Sequence, residues 1–207
     1  MYDAEKLALE EYILGSIENR NDRALKIALL TRDVMPTVAN QIVHKFLRTL
    51  DHVLGEKYNM PPATEMPSAN IEKWGLIGWR SSQWGKGWIV GLEFKPELSY
   101  VEWGFKAPNV RAKDVSSDSF DFIDDKLRSA IQIRLREIPS RGRILGESDK
   151  WPLYFGTREL QKSDDTSRLL KVAGFEQHEG MPLVDWFADE MALVYRTVDE
   201  VISARAS

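Results

Sequence analysis

Glu93 and Lys95 stand two residues apart in a run of strict apolar alternation, GWIVGLEFK. On a strand, residues i and i+2 point to the same face, so this spacing presents a carboxylate beside an ammonium. A carboxylate and an ammonium so placed could together hold a divalent cation and offset charge beside it. Such a site needs a second carboxylate, and Glu102 on the next strand is the best candidate for it. The same residues serve equally as ion pairs on a solvated sheet face, with Lys95 and Lys106 opposing Glu93 and Glu102. Both readings stay open on the residues alone.

Two further constellations matter. Gly78, Gly91 and Gly104 fall side by side if three neighbouring strands share their apolar face, leaving a trough where a ligand, a ring or another backbone can approach closely. Trp74 and Tyr100 flank that trough, and a small-ligand binder is one reading of it; a helix packed over it is the other. Trp84, expected at a hairpin tip beside the loop Gly85-Lys86-Gly87, stands near Arg141 and Arg143 in this reading. An exposed Trp among arginines suits a protein interface or base stacking, unless it folds back onto the core.

The elements that must position these residues are legible as patterns. Lys73 to Lys106 holds five of the seven tryptophans and reads as three antiparallel strands. Trp88, Val90, Leu92 and Phe94 alternate with Ile89, Gly91, Glu93 and Lys95, and Tyr100 to Lys106 alternates again. A common apolar face sets Phe94 opposite Val101, Leu92 opposite Trp103, Val90 opposite Phe105 and Trp79, and Ile77 beside Leu92. It also sets Glu93 opposite Glu102. Residues 3–18 predict an amphipathic helix. Asp33 with Pro36 predicts a fresh helix start after a short segment 24–30, and that helix runs to about Leu54 with Val38, Ile42, Phe46, Leu50 and Val53 as its stripe. Residues 56–70, with three prolines, form a connector. A helix over about 120–138, a mixed-charge loop over 139–150, a fourth strand over 151–155, a short helix over 164–172 and a terminal helix from Pro182 to about Ala204 complete the chain.

These elements predict an α+β fold, a three- to four-stranded antiparallel meander packed against several long amphipathic helices. One domain over 1–207 is expected, with a helical part at 1–55, the connector at 56–70, and the meander and later helices at 71–207. The chain of 207 residues is 43% apolar, so a substantial core is within reach, and its net charge of −4 provides no global attraction to nucleic acid or anionic membrane. Nucleic acid therefore enters only through a local basic patch. Cysteine is absent, which excludes disulfides, thiolate metal sites and thiol nucleophiles. His44, His52 and His178 lack zinc spacing and read as surface residues. There is no phosphate-binding glycine loop and no serine-nucleophile elbow. No signal-like or membrane-spanning segment is visible, so a soluble cytoplasmic protein is the expectation.

The order of aromatic meander, acidic-start helix, WPLYF strand and long terminal helix PLVDWFADEMALVYRTVDEVI, together with Glu93-Phe94-Lys95, resembles bacterial and prophage proteins of the PD-(D/E)xK superfamily over roughly residues 70–205. That resemblance implies a defence, counter-defence or DNA-processing setting, and in nucleases of that type the acid of such a pair binds Mg²⁺ while the lysine stabilises charge or positions the attacking water. The chain departs from the pattern in having no Pro-Asp on the strand before Glu93; the only acid there is Glu72. The residues favour a non-enzymatic protein-interaction module without a cofactor, binding a protein partner, with a homodimer also in view. The metal-dependent nuclease and the small-ligand binder are the alternatives.

Overall fold

Alternating apolar residues build an antiparallel sheet whose register follows from the requirement that they share one face. In the computed structural model the described residues are all except 1, 20–22, 69–73, 85–87, 107–124, 140–142, 147–152, 158–159, 161–164 and 207. The fold is α+β. Strands β1 (Gly75–Trp79), β2 (Ile89–Phe94), β3 (Val101–Lys106), β4 (Arg143–Gly146) and β5 (Leu153–Thr157) form one sheet in the order β1-β2-β3-β5-β4, every neighbour antiparallel. The pairs Phe94–Val101, Leu92–Trp103, Val90–Phe105, Trp79–Val90 and Ile77–Leu92 are those expected from the alternation. β4 replaces part of the loop expected over 139–150, and Trp151 and Pro152 lie outside the described residues.

The contacts group the chain into two compact units, 1–41 and 42–207. They do not part at the connector expected over 56–70. Residues 59–68 instead belong to the second unit. The Thr64 and Glu65 backbones bond Gly78, laying this segment along the outer edge of β1 and covering unpaired strand groups there.

In the first unit, α1 (Tyr2–Glu18) is followed by the opening part of α2 (Arg23–Tyr58). The helix start expected at Asp33 does not occur: α2 runs unbroken through Pro36. Proline removes one i→i−4 bond, but Arg32 and Pro36 are exposed, so water can reach the carbonyl that loses its donor.

In the second unit, α2 continues past Gly55 to Tyr58, where Asn59 turns the chain at φ 53°. Asn is the residue besides glycine that tolerates this left-handed conformation. The apolar face of the sheet packs on this part of α2 and on the last helix, α5 (Leu183–Ala206). Phe46 meets Phe187 edge-on at 6.0 Å, and Trp103 meets Trp186 and Phe187 edge-on at 5.4 and 5.5 Å. The α2 stripe is rotated from expectation: Val43, Leu47 and Leu54 join Phe46 and Leu50 inside, while Val38 is exposed. The Asp51 carboxylate accepts from Trp79 Nε1 (2.8 Å) and the Ala63 amide (2.9 Å), tying α2, the connector and β1 together. α3 (Asp125–Arg136) packs on α5 through Leu127, Ile131 and Leu135; residues 120–124, where an earlier start was expected, lie outside the described residues. A short α4 (Asp165–Ala173) and a two-stranded ribbon, Gln177–His178 with Met181–Pro182, precede α5. His178, expected at the surface, is buried edge-on against Trp186 at 4.9 Å.

Candidate functional site

The face of the sheet opposite the helical core carries the residues singled out for chemistry. Gly78, Gly91 and Gly104 do pair side by side across β1, β2 and β3, and Glu93 stands opposite Glu102. The glycine row is nevertheless no open trough. A Cβ on Gly78 would lie 2.5 Å from Ile89 Cδ1, and one on Gly91 would lie 3.2 Å from Leu76 Cδ1 and 3.3 Å from Ile89 Cδ1. Side chains of the sheet itself lean into the space that glycine leaves, so the binding role expected for Gly78 and Gly91 gives way to a packing one. Gly104 is buried and pairs with Tyr154 on its other side.

The charged residues on this face are mutually engaged. Lys106 Nζ donates to Glu93 Oε2 at 2.7 Å, with the lysine side chain 1% exposed and the glutamate 22%. The Tyr100 hydroxyl donates to a Glu102 carboxylate oxygen. Lys95 is held by aromatic faces, its ammonium 5.2 Å from the Trp74 ring centre and 5.5 Å from that of Tyr100. Those two rings meet edge-on at 5.8 Å. A cation over ring faces gains from their negative quadrupole. The lysine that ion-pairs with Glu93 is thus Lys106 on the neighbouring strand, while Lys95 sits in a ring clamp.

Among the described residues no group of three or more His, Asp or Glu side chains is placed to hold a metal. Glu93 is paired with a buried ammonium and Glu102 with a phenol, and Glu72 lies outside the described residues. Glu93 and Glu102 are thus each engaged by a neighbour on the sheet face.

Trp84 corrects a second expectation. It is 5% exposed, donates from Nε1 to Asp199 Oδ1 at 2.8 Å, and packs against Phe105 (5.6 Å, edge-on) and Tyr195 (4.8 Å). An indole with a carboxylate at its polar end gains more by burial than by standing at a loop tip. Arg141 and Gly85-Lys86-Gly87 lie outside the described residues. Arg143 is on β4, its backbone opposite Thr157.

The first unit carries the feature that the sequence patterns did not announce. Its apolar residues do not form one stripe. Leu7 and Leu9 are both 58% exposed although they lie on nearly opposite sides of α1, and Leu14, Ile27, Leu30 and Val34 are each more than half exposed. Between α1 and α2 lies a cleft of about 380 Å³ lined by Leu9, Tyr12, Ile13, Ile27, Met35 and their neighbours. The signal was present in the sequence: apolar positions of residues 7–14 and 25–38 go round the helices instead of repeating on one side, the pattern of a helix that is covered on all sides.

At the α2–α5 contact of the second unit, Lys57 Nζ bonds Asp189 at 3.0 Å and the Tyr58 hydroxyl donates to the same carboxylate. Burial, followed by the bond to Asp189, pushes the Tyr58 phenol above its ordinary value; Tyr195 is likewise pushed up by burial.

No known family model, no characterised protein and no solved structure matches the chain. Among the described residues no helix is long and apolar enough to cross a membrane.

Proposed function

We propose that the protein is a non-enzymatic protein-interaction module in which the second unit is a rigid scaffold and the α1/α2 pair of the first unit is the contact element. One observation carries this reading: eleven large apolar side chains of residues 7–38 are 37–65% exposed. Full burial of such a side chain is worth ~1.5–3 kcal/mol, so covering the exposed half of eleven makes ~8–17 kcal/mol available. That is comparable to the ~4–15 kcal/mol that association costs in lost freedom. Most helical stability in proteins comes from packing an apolar face, and these helices leave much of their apolar surface uncovered. So much exposed apolar surface on an otherwise well-packed protein marks an interaction site.

The engagement of Glu93 by Lys106 and of Glu102 by Tyr100 favours this reading over the nuclease, and the filled glycine row favours it over a small-ligand binder.

The test is photo-cross-linking in cells with benzoylphenylalanine placed at Leu14 or Leu30. Discrete higher-mass adducts are expected from both positions and none from Ser82, an exposed loop residue of the second unit. Uncross-linked chain at both Leu14 and Leu30 would refute the reading.

A further inference from the structure

We infer that the partner of the α1/α2 pair is a second copy of this chain, the two pairs packing as a four-helix bundle with the acidic α1 of one copy against the basic opening part of α2 of the other. This rests on the docking role proposed above and specifies its occupant. The first argument is charge. α1 contains Asp3, Glu5, Glu10, Glu11 and Glu18 against Lys6 alone, whereas residues 23–41 contain Arg23, Lys26 and Arg32 against Asp33, which pairs with Arg32 at 2.9 Å and leaves this stretch net basic. In a two-fold bundle each acidic helix then has a basic helix on both sides, one from its own copy and one from its partner. A two-fold contact uses the same patch twice, so the patch must complement itself, and this segment does so in sign as well as in apolarity.

The second argument is shape. The cleft between α1 and α2 is apolar and about 380 Å³, and exposed residues of the same unit, Leu14 and Leu30 among them, are side chains of a size to enter it. α1 has 17 residues and is about 25 Å long at 1.5 Å per residue, and the 19 residues of 23–41 that open α2 match it to within a turn before that helix continues to Tyr58. The third is extent. Of the half-exposed large apolar side chains, Leu9, Tyr12, Ile27 and Met35 share the cleft and supply an apolar centre for such a contact. A two-helix unit reaches a closed core most simply by doubling to four.

The test uses the full chain in sedimentation equilibrium from about 1 to 100 µM, a range that brackets ordinary dimer affinities. A dimer is expected, and Ile27→Asp/Leu30→Asp should render it monomeric. All seven tryptophans lie between 74 and 186, so unchanged tryptophan emission certifies that the second unit is intact. Glu10→Lys/Glu11→Lys and Lys26→Glu/Arg32→Glu should each weaken self-association about tenfold or more, the size of a lost charge pair. Mixing these two variants should restore dimers, as heterodimers. A dimer indifferent to either pair of charge variants, or to Ile27→Asp/Leu30→Asp, overturns the arrangement. A monomer that binds an apolar dye, with binding lost in Ile27→Asp/Leu30→Asp, overturns the second copy as occupant but leaves the docking role standing. A monomer that binds no dye overturns both, and so does sedimentation with anionic phospholipid vesicles in place of dimerisation.

Discussion

Replacing Glu93 with Gln takes the charge away from an ammonium that the fold has enclosed. Lys106 is 1% exposed and 2.7 Å from the carboxylate. Removing one partner of a buried ion pair costs about 3–5 kcal/mol, because the remaining charge is left uncompensated in a poorly polarisable place. Two features lower that figure. Glu93 is itself 22% exposed, and Gln retains an oxygen to accept the lysine's hydrogen bond. About 2 kcal/mol is therefore expected, a fall in Tm of about 4–8 °C for a domain of this size. The reverse change is asymmetric. Lys106→Met fills the same channel with an apolar chain, and Glu93 can turn towards water, so the cost is expected below about 1 kcal/mol. The double variant should match Lys106→Met, which makes the pair strongly coupled in a double-mutant cycle. Urea titration followed by tryptophan emission measures all four proteins. Equal costs for Glu93→Gln and Lys106→Met, or a Glu93→Gln change below about 0.5 kcal/mol, would refute the argument that the lysine is the trapped member.

Three other predictions follow from the packing. Trp84→Ala should destabilise the second unit by about 3–5 kcal/mol, as a buried aromatic does, and Asp199→Ala by about 1–3 kcal/mol for the indole N–H left behind; an unchanged urea midpoint for Trp84→Ala would contradict its burial. Gly78→Ala should cost about 1–2 kcal/mol through its clash with Ile89 Cδ1, and Ile89→Val, which lacks that carbon, should make the same change cheaper; additive costs in the cycle would show that the glycine row is not filled by Ile89. Tyr58 and Tyr195 hold their protons to higher pH in the folded chain than the ordinary value of 10.0. Between the unfolded and folded values the folded state keeps protons that the unfolded state has lost. Their contribution is therefore fully present below pH 10 and is lost as pH rises through the raised folded values. Urea midpoints measured from pH 8 to 11 should fall on the alkaline side, and Tyr195→Phe should flatten that fall; an unaltered slope would contradict the assignment.

The sheet was readable because its constraint is binary: a one-residue slip sends Leu92, Trp103 and Phe105 outward, so only one register of β2 and β3 buries them all. The glycine row came with that register. What fills it did not, because the answer depends on how Ile89 and Leu76 lean across the pleat, which alternation leaves unspecified. β4 was hidden by its composition: RILG is short, flanked by charges and too brief to alternate. Asp33 and Pro36 carry the local marks of a helix start, but favourable neighbours on both sides let one exposed helix absorb a missing bond. Two lysines were available to Glu93, and only the three-dimensional arrangement gives Lys106 to Glu93 and sends Lys95 to the Trp74 and Tyr100 rings. For Trp84, sequence weighs a loop tip against a core position evenly; the Asp199 carboxylate on α5, more than a hundred residues away, decides it. In the first unit a helix with leucines all round matches an amphipathic pattern along any one set of positions, so the pattern of Leu7, Ile13, Leu14 and Ile17 does not reveal that Leu7 and Leu14 stand exposed.

The contact role proposed for the exposed apolar surface of residues 7–38 is open to direct measurement. Photo-cross-linking from Leu14 and Leu30 in cells tests it most directly. Discrete adducts from both positions, absent from Ser82, are predicted. Cross-linking confined to Ser82, or unreacted chain at Leu14 and Leu30, would contradict it.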